Sequence, residues 1–383
     1  MDQKQLLMIP GPTPVPQSVL LAGAGEMVNH RGPEFAAALA ACTEGLKKVF
    51  QTQHDVFILT GSGTGGLEAA IVNMLSPGDS VLSVSIGVFG DRFASIAEAF
   101  GANVEPLNFE WGTAAHPEKI RERLAADTEK KIDAVLITHN ETSTGVTNDL
   151  AAIGPIVRDH GALLLVDGIS SLVAIDCQTD KWCLDFVVAG SQKAFMIPPG
   201  LTFIAMNDRA WAAMKKATIP RFYWDLGKAK DYLERGQTPW TPAVPQVFQL
   251  QKALDLLLAE GMQASFARHA RQAAALRAGV QALGLDLFAD PDHASNAVTS
   301  VRTPDGVDVS ALRKLMHGKY GVVLAGGQQR LKNDIFRIGH LGYVAASDIV
   351  ATLGALGLAL KELGVKADPC AGVSAFVSAL EGK

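Results

Sequence analysis

Four short clusters hold the residue types that do chemistry. The first is Thr60-Gly61-Ser62-Gly63-Thr64-Gly65-Gly66, lying between an apolar run and a helical pattern. Glycines permit a tight turn, and a helix start offers free N–H groups and a positive dipole end, so this is an anion cup suited to phosphate. The second is Asp167, directly after Leu163-Leu164-Leu165-Val166. A carboxylate at the end of a buried strand is costly without a partner, and a protonated pyridine nitrogen would be one. The third is Lys193, in Gly190-Ser191-Gln192-Lys193-Ala194-Phe195 after the strand-like Phe186-Val187-Val188-Ala189. Partial burial and a nearby cation lower the pKa of such an amine and make it a nucleophile that forms an imine with an aldehyde. The fourth is Arg337, within Ile335-Phe336-Arg337-Ile338-Gly339, whose planar fork suits bidentate capture of a carboxylate.

Each cluster alone also has an ordinary explanation: a plain glycine turn, a structural aspartate, a snorkelling surface lysine, an internal ion pair. Gly61, Gly63 and Gly66 fit the G-x-G-x-x-G dinucleotide pattern as well, but the next strand ends Val84-Ser85-Ile86-Gly87, without the acid that would hold a ribose. Together the four supply a phosphate cup, a pyridinium partner, an imine-forming amine and a carboxylate clamp. One cofactor, pyridoxal 5′-phosphate, uses the first three, and amino-acid substrates use the fourth.

Positioning such groups takes a particular scaffold. Near-continuous apolar runs at Val56-Phe57-Ile58-Leu59, Val81-Leu82-Ser83-Val84, Ala134-Val135-Leu136-Ile137 and Leu163–Val166 alternate with helical stretches, which predicts a mainly parallel sheet covered on both faces. The proline-rich opening, Pro10-Gly11-Pro12-Thr13-Pro14-Val15-Pro16, predicts an extended segment. A helix is expected from Pro33, a long helical arm over residues 246–283, and a smaller α/β unit beyond it. The reading divides the chain into an extended segment (residues 1–20), a large cofactor-binding domain (21–260) and a small C-terminal domain (261–383). No element is assigned to the tail after Val365.

Composition narrows the partners. With 383 residues and a formal net charge of -5, the chain has no general positive field for nucleic acid or an acidic membrane. Cys42, Cys177, Cys183 and Cys370 are scattered and lack C-x-x-C pairs, so no metal site is expected. Without a long apolar span or a cleavable leader, the expectation is a cytoplasmic protein.

The motifs Pro10-Gly11-Pro12, Thr60-Gly61-Ser62-Gly63-Thr64, Thr138-His139-Asn140-Glu141-Thr142-Ser143-Thr144-Gly145, Val166-Asp167, Gly190-Ser191-Gln192-Lys193 and Phe336-Arg337-Ile338-Gly339 occur in this order. In this the chain resembles the class V aminotransferases of fold type I, in the alanine–glyoxylate and serine–glyoxylate branch, from about Met8 to Leu363. The resemblance implies a large domain with a mainly parallel seven-stranded sheet plus a smaller C-terminal α/β domain, and a homodimer with a shared site. It implies that Lys193 carries the cofactor and then moves the proton, and that Asp167 pairs with the pyridinium nitrogen. Ser62, Gly63, Thr64 and Gln192 would hold the phosphate, Thr142 the phenolic oxygen, and Arg337 with the backbone near Gly11 the substrate carboxylate. Phe89, where the best-known relatives stack a tryptophan, and Ile169 would cover the ring, and Thr241 would reach the neighbour's phosphate. Thr238 stands where relatives often have a tyrosine.

The expected reaction moves an amino group from alanine or serine to glyoxylate or a similar 2-oxo acid in ping-pong order. One convincing carboxylate-binding arginine favours a neutral donor over glutamate or aspartate, although Arg31 or Arg330 could serve a second acid. The rivals are a 2-aminoethylphosphonate–pyruvate transaminase, a desulfurase or lyase using Cys370, and a nicotinamide-dependent oxidoreductase built on the Gly61 turn.

Overall fold

The computed structural model describes residues 5–382. In chain order the strands are β1 (Leu6–Met8), β2 (Asp55–Thr60), β3 (Ser80–Ser85), β4 (Asn103–Asn108), β5 (Ile132–Thr138), β6 (Asn140–Glu141), β7 (Val146–Thr147), β8 (Leu163–Asp167), β9 (Phe186–Gly190), β10 (Leu201–Met206), β11 (Val298–Arg302), β12 (Val322–Gly326) and β13 (Ile335–Gly339). A seven-stranded sheet runs β2-β10-β9-β8-β5-β3-β4, with every pair parallel except those made by β10. This is the mostly parallel seven-stranded α/β sheet expected from the sequence.

The apolar runs are explained by burial on both faces. Val56, Ile58, Val135, Ile137, Val187 and Ala189 enter one core layer, while Phe57, Ala134, Leu136, Phe186 and Val188 enter the other. Each fully buried aliphatic or aromatic side chain contributes about 1.5–3 kcal/mol, so the central strands tolerate almost no polar residue until their carboxyl ends. Strand β4 escaped the sequence reading because it is a mostly exposed edge strand, Asn-Val-Glu-Pro-Leu-Asn, lacking an apolar run. Pro106 is tolerated at such an edge.

A second sheet, ordered β1-β12-β13-β11, has its own core around Phe336, Leu353 and Phe376. The opening segment is non-helical from Leu6 to Pro16, but the helix Gln17–Ala22 begins inside the stretch expected to be extended as far as residue 20. Its first part also pairs in parallel with β12, and Met8 is fully buried in that second core. The arm predicted over residues 246–283 is two helices, Val244–Glu260 and Met262–Ala282, separated at Gly261. Gly261 has φ 85° and ψ 138°, which ends the helical hydrogen-bond ladder where glycine alone is unstrained. The tail after Val365 folds as a helix, Pro369–Leu380, packed on the helices Met262–Ala282 and Ala346–Glu362. No helix among the described residues is long and apolar enough to cross a membrane.

Candidate active site

The predicted residues converge because parallel strands finish at one sheet edge. β2 leads into Ser62, which caps the helix Gly63–Met74 by accepting a hydrogen bond from the Gly65 N–H at 3.4 Å. β5 leads into the Asn140–Thr147 hairpin, β8 ends on Asp167, and Lys193 lies just past β9. Ser62, Gly63, Thr64, Phe89, Thr142, Asp167, Ile169, Gln192 and Lys193 line one cavity of about 190 Å³.

Lys193 is held from the N-terminal segment. Its Nζ donates to the Pro10 carbonyl at 2.8 Å, the Thr13 hydroxyl donates to the Lys193 carbonyl at 2.8 Å, and the Thr13 N–H donates to the Gln192 carbonyl at 3.0 Å. Gly11 has φ 145°, and a Cβ there would fall 2.7 Å from both Lys193 Cδ and Nζ, so only glycine fits beside the amine. Arg337 sits on the other side of Thr142, buried to 6 % exposure, donating from Nη1 to the Thr142 carbonyl and from Nε to the Gly326 carbonyl, both at 2.9 Å. These bonds leave the Nη2 group available.

The electrostatics follow from burial. Desolvation lowers Lys193 from 10.5 to about 8, assisted by Arg337 and Arg92 and opposed by Asp167. Desolvation raises Asp167 from 3.8 to about 7, against the Ile169 N–H that its carboxylate accepts at 2.9 Å. Arg337 falls to about 10, again through burial, with Glu141 opposing. A nucleophilic amine and a carboxyl short of a donor thus face one cavity.

The geometry also adds residues the sequence reading missed. Arg92, Asn140 and Ser170 line the same cavity. Asn140 Nδ2 donates to Ser170 Oγ at 2.9 Å, and the Thr142 hydroxyl donates to that oxygen at 2.8 Å. The signal for Asn140 was its place inside the Thr138–Gly145 motif, and for Ser170 its place three residues after Asp167. For Arg92 it was the three-residue spacing from Phe89 on one helix, which sets its guanidinium 4.8 Å from the Phe89 ring centroid. Conversely, Thr241 is exposed and lies on a separate cleft with Tyr223 and Trp240, away from its own chain's cavity. Thr238 donates its hydroxyl to the Trp240 carbonyl on that cleft. Arg31 donates to the Thr238 carbonyl at 2.7 Å and Arg330 stacks on Trp111, so neither lines the cavity.

Class-V aminotransferases match this chain over residues 7–347. The chain belongs to the class-V aminotransferase family. It is similar to a soluble hydrogenase 42 kDa subunit of Anabaena cylindrica, 47% identical with 95% of each chain covered. It is also similar to a serine–glyoxylate aminotransferase of Methylorubrum extorquens, 36% identical over 98% of this chain and 95% of the relative. Among solved structures, a ureidoglycine–glyoxylate aminotransferase of Bacillus subtilis superposes with TM-score 0.94 at 30% identity, covering 100% of this chain and 99% of its own.

Fold-type-I members of this family use pyridoxal 5′-phosphate, and that is the cofactor of this aminotransferase. The residues present fit it. Asp167 is 3 % exposed and needs a cationic N–H, which a pyridinium supplies. The Gln192 amide lines the cavity, where its NH2 group can donate to a phosphate oxygen. The first N–H groups of the helix Gly63–Met74 have no intrahelical acceptor and open at the same cavity.

Proposed function

We propose that this aminotransferase moves the amino group of alanine or serine to glyoxylate or a similar 2-oxo acid, in two half-reactions of a ping-pong cycle. The observation that carries the reading is the placement of Lys193, Asp167 and the Ser62–Thr64 helix start on one cavity. Arg337 is not in the cavity lining but is buried behind Thr142, which is, and donates to the Thr142 carbonyl. Pyridoxal phosphate, when bound, would supply a carbonyl for the amino group and an electron sink that makes the substrate Cα–H acidic. Lys193 would hold the cofactor covalently, and its amine is placed to move the proton at the substrate Cα. Asp167 accepts the ring N–H and keeps that nitrogen cationic. Ser62, Gly63, Thr64 and Gln192 would hold the phosphate, Thr142 would turn its hydroxyl from Ser170 to the phenolic oxygen, and Phe89 and Ile169 would pack against the ring. Arg337 binds the substrate carboxylate through its remaining donors, with the Gly11 backbone closing beside it.

Arg337 is buried beside Thr142, Arg31 and Arg330 are engaged elsewhere, and Arg92, which lines the cavity, is packed over the Phe89 ring, which supports a donor with a short neutral side chain. The glyoxylate acceptor is supported by the Methylorubrum and Bacillus relatives, both glyoxylate aminotransferases. Cys370 lies exposed on the helix Pro369–Leu380, outside the cavity lining, which weighs against a desulfurase. Family membership sets aside the nicotinamide alternative. We also take the chain to act as a homodimer in which Thr241 reaches the partner's phosphate.

The test is a visible spectrum of the holoenzyme with L-alanine, L-serine or 2-aminoethylphosphonate added separately. The yellow band should bleach with alanine or serine and return with glyoxylate. Bleaching with the phosphonate alone would replace this reading by the phosphonate transaminase.

A further inference from the structure

We propose that Glu141 is a positioning residue. Together with Ser143, its buried carboxylate caps the helix Val88–Ala99 from across the site and fixes Phe89 at the cofactor, while the intervening Thr142 carbonyl fixes Arg337.

The helix Val88–Ala99 starts without a side-chain cap of its own. The N-cap is Gly87, which has no side chain to satisfy the free N–H groups behind it. They are satisfied instead from a segment more than fifty positions away in the chain. The Val88 N–H donates to Ser143 Oγ at 3.0 Å, and the N–H groups of Phe89 and Gly90 donate to Glu141 Oε2 at 3.0 and 3.1 Å. The other carboxylate oxygen, Oε1, accepts from the Ser143 N–H at 3.0 Å and the Ser143 hydroxyl at 2.5 Å. Glycine at position 87 is what admits this cap, since a Cβ there would lie 2.5 Å from both Glu141 Cγ and Ser143 Oγ.

Such a cap is an expensive solution if helix stability is its purpose. Glu141 has 0 % exposure, and burying a carboxylate is unfavourable unless donors and a dipole compensate it. A serine at the N-cap would satisfy one of these N–H groups without burying a charge. What a local cap could not do is tie the helix to the Thr142 turn. Phe89, whose N–H is held, lines the cavity, and the Thr142 carbonyl between the two capping residues accepts Arg337 Nη1 at 2.9 Å. One buried junction therefore sets the distance between the ring-packing side chain and the arginine. Burial pushes the Glu141 carboxyl up while Ser143, Gly90 and Phe89 hold it down, and its charge faces both Arg337 and Asp167.

The test compares Glu141→Gln, Phe89→Ala and the double variant, with apoprotein titrated by pyridoxal phosphate and the reconstituted enzyme assayed for donor KM. An amide in place of the carboxylate turns one acceptor into a donor facing N–H groups, so Glu141→Gln should weaken cofactor binding about tenfold. Because Glu141 acts through Phe89, the double variant should bind the cofactor no worse than the weaker single variant. Donor KM should rise in Glu141→Gln while kcat changes less.

Losses that multiply in the double variant, or a lower melting temperature with unchanged cofactor Kd and donor KM, would overturn the proposal. The arginine half rests on the clamp role proposed above, whereas the cofactor titration does not. A raised cofactor Kd with normal donor KM overturns the arginine half. If Arg337→Ala is silent too, the clamp reading itself fails. Should Glu141→Gln not fold, Ser143→Ala removes the Val88 acceptor and leaves the carboxylate. Its cofactor Kd should rise severalfold in the Phe89 background of the natural chain and not in Phe89→Ala. A normal Kd in the former overturns the proposal.

Discussion

At Lys193 desolvation outweighs the pull of Asp167, and the amine reaches a pKa of about 8. Capture of pyridoxal phosphate by the apoprotein needs the neutral amine, so its rate should rise with pH through a midpoint near 8 and level off above it. Stopped-flow absorbance would show this, and a flat profile from pH 7 to 9 would contradict the assigned environment. The linkage has a definite sign. Between about 8 and 10.5 the unfolded chain carries the extra proton, so Lys193 makes the apoprotein more stable as pH rises across that window. Arg337→Ala should raise donor KM by an amount equivalent to about 2–5 kcal/mol, the usual loss for a charge-assisted bidentate pair. Steady-state kinetics with alanine would read it. Lysine, aspartate and arginine were legible in the sequence because each breaks an apolar run. Arg92 was not, since it sits in an amphipathic helix where a charged residue is unremarkable, and only the helical phase brings it over Phe89. Thr241 is legible only by resemblance, because nothing in a single chain places it at the cavity.

Elements decide how close these groups come. The glycine-rich turn was read as a phosphate cup, and Gly63 does line the cavity, where a Cβ would meet Ile169 Cδ1 at 2.6 Å. Gly66 has a different job that spacing alone does not distinguish. A Cβ there would fall 2.3 Å from Thr202 Oγ1 and 2.5 Å from Val188 Cγ1, so the helix Gly63–Met74 rests on β9 and β10 at this point. Gly66→Ala gains helix propensity of about 1 kcal/mol but overpacks by about 1–3 kcal/mol, and lifts the helix start off the sheet. We expect a net loss of stability in denaturant melts together with weaker cofactor binding. A variant more stable than the natural chain would show that the contact yields easily. The helices that alternate with the central strands, and those strands, were readable from periodicity and apolar runs, whereas the helices Pro117–Ala126, Asp208–Met214, Leu226–Leu233 and Pro369–Leu380 were not. Edge strand β4 and the break at Gly261 were not, because exposure removes the run and a single glycine inside an alanine-rich stretch reads as tolerable; strand β12 was passed over although Val322-Val323-Leu324-Ala325 is an apolar run.

Across the whole molecule, the two sheets are joined at the site by a segment whose sequence said only that it is extended. β1 builds Met8 into the second core, and a few residues on, Pro10 and Thr13 bind the Lys193 loop. The chain end does something else, since the helix Pro369–Leu380 buries Phe376 against Met262–Ala282 and leaves the cavity lining untouched. Removing residues 1–13 and removing residues 366–383 should therefore separate two effects. Both truncations expose buried apolar surface, and both should lower the melting temperature and increase binding of a hydrophobic dye. The N-terminal truncation should also abolish the Pro10 acceptor at Lys193, shifting the pH midpoint for cofactor capture. The C-terminal truncation, studied below its melting point, should retain the natural midpoint and the natural donor KM. If both truncations moved the midpoint equally, Lys193 would be responding to general loosening of the fold, and the contact with Pro10 would have no specific part in setting its pKa.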